Sequence, residues 1–242
     1  MKVTAIKTDR IRPKTLSILE VLDKFFPEVT DRSIIAITSK VVSICENRLV
    51  PFKDTSLSEL IKRESDYYLP FETAAHKLTI TRNILIPKAG IDKSDFSQSY
   101  ILWPKDPQKT ANEIREFIRK KSGHKNIGVI LTDSTTAPLM RGVRGISIAH
   151  SGFLATKKNK TDVRASVVEG LAAAAVVVMG EGAEQTPIAV ISDIPFVDFV
   201  DNDPSVDELS LLNLDFTHDI YGKMLSGLDW LKGDGQARGE SQ

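Results

Sequence analysis

The chain of 242 residues lacks most features of secreted, membrane and nucleic-acid-binding proteins. Its single cysteine, Cys45, excludes an internal disulfide. Its 32 basic and 32 acidic residues cancel, so no net field attracts nucleic acid or an anionic membrane. The longest apolar run, 171–179, is far shorter than the ~20 residues that a membrane-spanning helix needs. We therefore expect small-molecule partners, with no nucleic acid and no membrane.

The ends of the sequence lead to two further expectations. Residues 1–7 lack the apolar stretch of a secretory signal, so the cytoplasm is the expected location. Residues 232–242 contain Gly, Asp, Ser and Gln and are expected to form a flexible tail. The remaining 1–231 contain enough apolar material for one large domain or two interlocked subdomains.

Helical and strand patterns alternate along the chain. Helices are predicted over 15–26, from Ser56, from Pro107 and over 166–179, where Val and Ala on every side indicate a helix surrounded by protein. Strands are predicted over 34–38, 127–134 and 188–191, with a hairpin that turns near Arg82. The mixture predicts an α/β or α+β fold without a clear linker.

Three carboxylates share one local design. Asp92, Asp133 and Glu181 each follow an apolar segment, and each has glycine or hydroxyl residues beside it. Hard divalent cations such as magnesium and manganese prefer oxygen ligands of this kind. An Asp at a strand end also serves as a helix N-cap or an Asx-turn residue, so a structural role stays open for each acid. They form a metal site only if the fold brings them together.

The glycines beside Glu181 predict a loop that approaches phosphate. Gly180 and Gly182 permit unusual backbone angles, while the carboxylate between them could hold a metal that neutralises a phosphate. The structural alternative is a helix cap followed by a turn. The sequence has no Walker A loop, dinucleotide fingerprint or zinc-protease helix, so a nucleotide site here would be of an uncommon type.

Two further groups of side chains are candidates for chemistry. Arg141 and Arg144 lie among glycines after the Asp133 strand, where an arginine could bind a phosphate or a carboxylate. His150 and Ser151 could form a nucleophilic pair, although no third member accompanies them in a motif.

Several of these segments together resemble the coenzyme F420-0:L-glutamate ligase family, with matching order and spacing along most of the chain. The segments are Thr38-Ser39-Lys40-Val41-Val42-Ser43, Ala89-Gly90-Ile91-Asp92, Thr132-Asp133-Ser134, Arg141-Gly142 with Gly145, and Met179 to Pro187. Tyr68-Leu69-Pro70-Phe71-Glu72 and Ala149-His150-Ser151-Gly152-Phe153 are most similar to a bacterial branch labelled folate-metabolism γ-glutamate ligase.

The resemblance implies a fold, an assembly and a reaction. It implies an intertwined homodimer of mixed α/β architecture that binds GTP and two divalent cations, manganese or magnesium, with potassium as an assisting ion in some members. An acceptor carboxylate would be activated by the γ-phosphate as an acyl phosphate, which the amino group of L-glutamate attacks to form an amide. The acceptor would be F420-0-like or folate-like.

The resemblance also implies roles for individual residues. Asp92 and Asp133 would hold the first metal, and Ser134 and Glu181 the second, with Asp133, Glu181 and Arg141 as the catalytic group. Arg141 would stabilise the acyl phosphate or anchor a carboxylate. Ser39 and Lys40 are predicted to form a turn after the strand over 34–38 and would contact the nucleotide. The other nucleotide contacts would be Asp95, Met179, Gly180, Gly182, Ala183, Glu184, Gln185 and Thr186.

Some positions depart from the family pattern. Ile44 stands where a lysine is common, Asp95 where asparagine is common, and Ala137 where an arginine is common. The segment 153–166 is shorter than the usual loop, which indicates an acceptor other than the deazaflavin coenzyme. Two alternatives to a γ-glutamyl ligase stay open: a ligase for another amino acid and acceptor, and a nucleotide-binding protein that has lost ligation.

Overall fold

The computed structural model describes residues 1–72, 76–158, 160, 164–182, 184–201 and 218–235. The chain divides into two compact units. The first combines Met1–Arg48 with Pro104–Leu209, and the second combines Leu49–Trp103 with Ser210–Gln242. The single ligase-like domain over 1–231 stays a prediction.

Helices and strands alternate through both units. In chain order they are β1 (Lys2–Ile6), α1 (Ile18–Lys24), β2 (Ser33–Thr38), α2 (Ser39–Cys45), β3 (Leu49–Pro51), α3 (Leu57–Glu64), β4 (Tyr67–Tyr68), β5 (Leu78–Thr81), β6 (Ile84–Pro87), β7 (Asp92–Ser94), β8 (Ser99–Ile101), α4 (Pro107–Ser122), β9 (Ile127–Thr136), β10 (Val143–Ser151), β11 (Thr156–Lys158), β12 (Arg164–Ser166), α5 (Val167–Met179), β13 (Ile188–Ser192), α6 (Gly222–Ser226) and β14 (Leu231–Lys232). The predicted mixed α/β fold is confirmed.

A five-stranded mixed sheet forms the centre of the first unit, in the order β1-β13-β2-β9-β10. β2 and β9 are parallel, and the other neighbouring pairs are antiparallel. The residues of β2 are buried apart from the half-buried Thr38, as expected for an apolar strand in the middle of a covered sheet. α4 packs against β9 and β10, and α5 packs against β1, β9, β10 and β13.

Local capping explains where the predicted helices begin. Ser17 begins α1 and Ser56 begins α3, each in a reciprocal capping box with a glutamate three residues later. Asp106 caps α4, and Gly123 ends that helix in the left-handed region at φ 74°. Among the described residues, no helix has the length and apolar character that crossing a membrane requires.

The second unit contains two antiparallel sheets, β14-β4-β5-β6 and β3-β8-β7. The predicted tail begins inside this unit, because Lys232 pairs with Tyr67 and the Gly233 N–H donates to the Asp66 carbonyl (2.8 Å). Residues 232–235 therefore make backbone hydrogen bonds within the second unit, and the flexibility of the tail stays a prediction. Residues 236–242 lie outside the described residues.

The last turn of α5 differs from its prediction. Val177 is 81% exposed and Val178 44% exposed, so the described residues do not surround the helix with protein. Its opposite side, which includes Ala172 and Val176, is buried. α5 is therefore apolar on a side that the described residues leave uncovered.

Candidate functional site

Three segments of the first unit meet at one edge of its central sheet. β2 and β9 are parallel, with Thr38 opposite Thr132, so their carboxyl ends lie at the same edge. β13 runs the opposite way and begins there, and the Pro187 carbonyl accepts the Thr38 N–H (3.0 Å). Ligands commonly bind outside the carboxyl ends of parallel strands. We call this place the strand-end edge.

Asp133 and Ser134 lie at the strand-end edge, half-buried in β9. The Ser134 N–H donates to Asp133 Oδ1 (2.8 Å). Ser134 pairs with Gly145 of β10, and directly paired residues share a face of a sheet. A Cβ on Gly145 would lie 2.6 Å from the Ala172 carbonyl oxygen of α5. Ser134 is therefore on the face that carries α5.

The loop between α5 and β13 is tied to the same edge. Gly180 ends α5 at φ 81°, and the Thr186 hydroxyl donates to the Met179 carbonyl (2.5 Å). The Gln185 carbonyl accepts the Thr8 N–H (2.8 Å), which links the loop to the chain just after β1. Gly180 is thus a helix cap, as in the structural alternative, and the loop that it begins leads to Pro187, which is hydrogen-bonded to the end of β2.

The glycines of this loop lie against a carboxylate. The Gly182 N–H donates to Glu184 Oε2 (2.8 Å), and a Cβ on Gly180 would lie 2.6 Å from Glu184 Cδ. The positive φ of Gly180 favours glycine at this position. The predicted metal ligand Glu181 is exposed on this loop, and the predicted nucleotide contact Ala183 lies outside the described residues.

Ser39 and Lys40 also lie at the strand-end edge, but in a helix and not in the predicted turn. They begin α2 directly after β2, with Ser39 buried and Lys40 exposed. Val41 and Val42 are buried in the same helix, which explains why the chain continues as a helix and not as an open loop. Their prediction as nucleotide contacts is compatible with this position.

Asp92 belongs to the second unit, where it begins β7. The preceding turn has positive φ at Lys88, Ala89 and Gly90. For a residue with a side chain this conformation costs about 1–2 kcal/mol. A Cβ on Gly90 would lie 2.3 Å from the Trp103 indole, so only glycine fits there. The turn is therefore closely determined by its packing.

The predicted metal ligands are divided between the units. Asp133, Ser134 and Glu181 belong to the first and Asp92 to the second, which also contains the predicted nucleotide contact Asp95, an exposed residue. Within the described ranges, no three His, Cys, Asp or Glu side chains lie together in a metal-binding group. The carboxylates and hydroxyl at the strand-end edge are oxygen donors that suit a hard divalent cation. The metal assignment stays a prediction.

The two arginines lie in or beside the β9–β10 connection. Arg141 is exposed in the connection itself. Arg144 is exposed in β10, and its positive charge acts to lower the pKa of Glu169 in α5. The role of Arg141 toward a phosphate or a carboxylate stays a prediction.

His150 and Ser151 do not form a nucleophilic pair. Both residues are 1% exposed in β10, so a substrate cannot reach them. Burial lowers the pKa of His150 to about 4, and its Nδ1 has no hydrogen-bond partner among the described residues. The His150 ring packs edge-to-face on Phe153, with centroids 5.3 Å apart. His150 is therefore a neutral core residue.

Glu169 is a residue that the sequence patterns did not single out. Its carboxylate accepts the Ser147 N–H of β10 (3.0 Å), and burial raises its pKa. The only sequence signal is its place three residues after Ser166, which is the ordinary spacing of a capping box.

Comparison with known proteins places the chain among ligases. The family described as F420-0:Gamma-glutamyl ligase matches residues 53–193, more than half of the chain. The coenzyme F420:L-glutamate ligase of Methanococcus maripaludis is 29% identical over 207 residues (74% of this chain, 82% of the relative). That of Methanocaldococcus jannaschii is 28% identical over 199 residues (69% and 79%), and that of Haloarcula marismortui 36% over 121 residues (46% and 47%).

These likenesses and the fold define the class of the protein as an α/β enzyme, a ligase that forms carbon–nitrogen bonds. The chain belongs to the F420-0:gamma-glutamyl ligase family. The matched range contains Asp92, Asp133 and Glu181, whereas Ser39 and Lys40 precede it. The family named from the sequence motifs is confirmed, and the bacterial folate branch stays a prediction.

Proposed function

We propose that the chain is a γ-glutamyl ligase that uses GTP and a divalent cation, manganese or magnesium. The observation that carries the proposal is the strand-end edge, where Asp133 and Ser134, the start of α2 and the loop from Gly180 lie together. The names of the relatives support L-glutamate as the amine substrate.

The reaction has two steps. An oxygen of the acceptor carboxylate attacks the γ-phosphorus, the bond to the β-phosphate oxygen breaks, and GDP leaves behind an acyl phosphate. The glutamate nitrogen then attacks the acyl carbon, inorganic phosphate leaves, and the nitrogen loses a proton to solvent. The product is an amide between glutamate and the acceptor.

The residues at the strand-end edge divide this work. Asp133, Ser134 and Glu181 would hold divalent cations, which offset charge on the phosphate oxygens and align the reacting groups. The Gly180 and Gly182 backbone and the Lys40 ammonium would contact the phosphates. These residues come from different β-strands and loops, but the sheet holds their relative positions, so they can bind one nucleotide and its cations together.

Arg141 would bind the acyl phosphate or a substrate carboxylate. The metal role of Asp92 and the nucleotide role of Asp95 rest on their motif positions. The names of the relatives support an acceptor of the F420-0 type, whereas the short segment 153–166, part of which pairs as β11 and β12, favours one of the folate type. Potassium is proposed as an assisting ion by family resemblance alone.

We further propose that the enzyme is a homodimer. The support is the apolar side of α5, on which Val177 is 81% exposed and Val178 44% exposed. Large exposed apolar side chains also occur in the β9–β10 connection, at Leu139 and Met140. Apolar surface of this kind commonly marks a contact between proteins.

Substitution of the strand-end acids tests the site. Asp133→Asn and Glu181→Gln should each lower turnover at least about 100-fold, because each removes a carboxylate charge that would hold the divalent cation offsetting the phosphate charge. Asp193→Asn is the matched control, since Asp193 follows β13 at the opposite edge of the sheet. All three proteins should unfold at similar temperatures. Full activity of Asp133→Asn or Glu181→Gln would overturn the assignment.

A further inference from the structure

Three helices begin with the same Ser-x-x-Glu spacing, at Ser17, Ser56 and Ser166. In α1 and α3 the glutamate turns back to its own N-cap. Glu20 accepts the Ser17 N–H (2.7 Å), and Glu59 accepts the Ser56 N–H (3.0 Å). These hydrogen bonds lower the pKa of both exposed carboxyls. In α1 and α3 the Ser-x-x-Glu spacing therefore serves only to cap the start of the helix.

α5 departs from this arrangement. The Ser166 hydroxyl accepts the Glu169 N–H, as a capping residue does. The Glu169 carboxylate, however, accepts the Ser147 N–H of β10 (3.0 Å). There it is half-buried, and burial raises its pKa. A buried carboxylate is costly unless hydrogen bonds and opposite charge compensate. The position is therefore unfavourable for a residue that serves only as a helix cap.

Glu169 binds β10 where that strand has a bulge. Ser147 is opposite Thr132 and Ala149 is opposite Leu131, so Ile148 is the extra residue. The Ser147 hydroxyl donates to the Ala149 carbonyl (3.1 Å) across the bulge. β-Bulges interrupt the ladder and redirect side chains, and they are over-represented beside active sites.

The bulge is adjacent to the predicted metal ligands. Ile146, which precedes Ser147, is opposite Asp133, and Gly145 is opposite Ser134. Gly145 also packs directly on α5, which carries Glu169. The strand that pairs with Asp133 and Ser134 is thus held to α5 at two places, Gly145 and Ser147.

We propose that Glu169 is a positioning residue: by holding the β10 bulge to α5, it fixes the register in which β9 presents Asp133 and Ser134 at the strand-end edge. The inference deepens the proposed function and rests on it for the role of these two ligands. Glu169 acts through the backbone of β10. The hydrogen bond needs an acceptor of glutamate length, and the carboxylate charge is secondary.

The test compares four variants with the wild type. Glu169→Ala removes the acceptor, Glu169→Asp shortens it, and Glu169→Gln keeps an oxygen at the same distance. Glu20→Ala is the matched control, because it removes a glutamate from the same helix position in the same unit. If Glu169→Ala does not fold, Glu169→Asp carries the comparison.

The first measurement is hydrogen exchange of the backbone amides. In Glu169→Ala and Glu169→Asp, amides over 131–136 and 145–149 should exchange at least about tenfold faster, while those of β1 and β13 change little. Glu169→Gln and Glu20→Ala should leave these segments protected as in the wild type. Unchanged exchange in both Glu169→Ala and Glu169→Asp, or loss of protection in Glu169→Gln, would overturn the inference.

The second measurement is the dissociation constant for Mn²⁺ alone, by titration calorimetry. Loss of a residue that orients metal ligands weakens metal binding by about 10–100-fold. We expect this loss for Glu169→Ala, near wild-type affinity for Glu169→Gln, and no change for Glu20→Ala. Equal affinity in Glu169→Ala and wild type would contradict the positioning role. A wild type that binds no Mn²⁺ would contradict the proposed function, whereas hydrogen exchange still decides the structural inference.

Discussion

At the residue scale, His150 gives the fold a specific response to acid. Burial lowers its pKa from 6.5 to about 4. The unfolded chain therefore takes up a proton near pH 6.5, while the folded chain stays neutral down to about pH 4. The folded state loses stability as the pH falls through this interval, by up to roughly 3 kcal/mol.

Replacement of this histidine should remove that loss. We expect His150→Leu to lower the pH dependence of the free energy of unfolding between pH 6.5 and 4.5, as measured by urea denaturation. The part of the pH dependence that other titrating groups cause should be the same in both proteins. Parallel stability curves for the variant and the wild type would show that His150 is not the titrating group.

Residue patterns identified some candidate residues and missed others for physical reasons. Asp133 and Glu181 could be found because an acid after an apolar strand or helix is visible in the sequence. Glu169 could not, since its spacing from Ser166 is that of an ordinary capping glutamate. Its carboxylate binds a strand that is distant along the chain, and no local pattern encodes that contact.

At the element scale, the approach of α5 to β10 depends on Gly145. A Cβ there would lie 2.6 Å from both the Ala172 carbonyl oxygen and Val176 Cγ2. Gly145→Ala should therefore separate the helix from the strand and destabilise the fold by about 1–3 kcal/mol, as overpacking does. Ligase activity should fall as well, because Ser134 is directly opposite Gly145.

Gly170→Ala is the control for this packing. Gly170 lies in the exposed part of α5 and has no atom within 4 Å of an added Cβ. Alanine in a helix interior is favoured over glycine by about 1 kcal/mol, so this variant should be slightly more stable. Thermal unfolding compares the two variants. A Gly145→Ala protein as stable as the wild type would contradict the close packing.

Element patterns predicted most helices, because caps and apolar spacing are local. The predicted starts of α3 and α4 agree with the structure at Ser56 and Pro107. α2 was missed, since Ser39 and Lys40 follow β2 with no separating loop and were interpreted as a turn. The β10 bulge was also missed, because it arises from pairing with β9 and not from a local signal.

At the scale of the whole molecule, the exposed apolar end of α5 predicts an assembly. Val177→Asp would place a charge on that surface and should convert a homodimer into a monomer, as measured by light scattering after gel filtration. Val177 is exposed in the single chain, so the variant should still fold. A wild type that is monomeric at micromolar concentration would contradict the homodimer.

The organisation into two units could not be predicted from composition. The chain leaves the first unit after Arg48 and returns at Pro104, and no Gly- or Ser-rich linker marks either crossing. The strand-end edge could not be predicted either, because it depends on the pairing of β13 with β2 and of β2 with β9. Sheet order of this kind is set by tertiary packing.

The central claim is that the chain joins glutamate to a carboxylate acceptor with GTP. The most direct test incubates the purified protein with GTP, Mn²⁺, L-glutamate and a panel of F420-type and folate-type acceptors. Chromatography with mass spectrometry then measures GDP and the acceptor mass. A ligase of this kind should form GDP together with an acceptor that gains one or more glutamyl units. Tight GTP binding without GDP or a mass gain would contradict it and support the non-catalytic alternative.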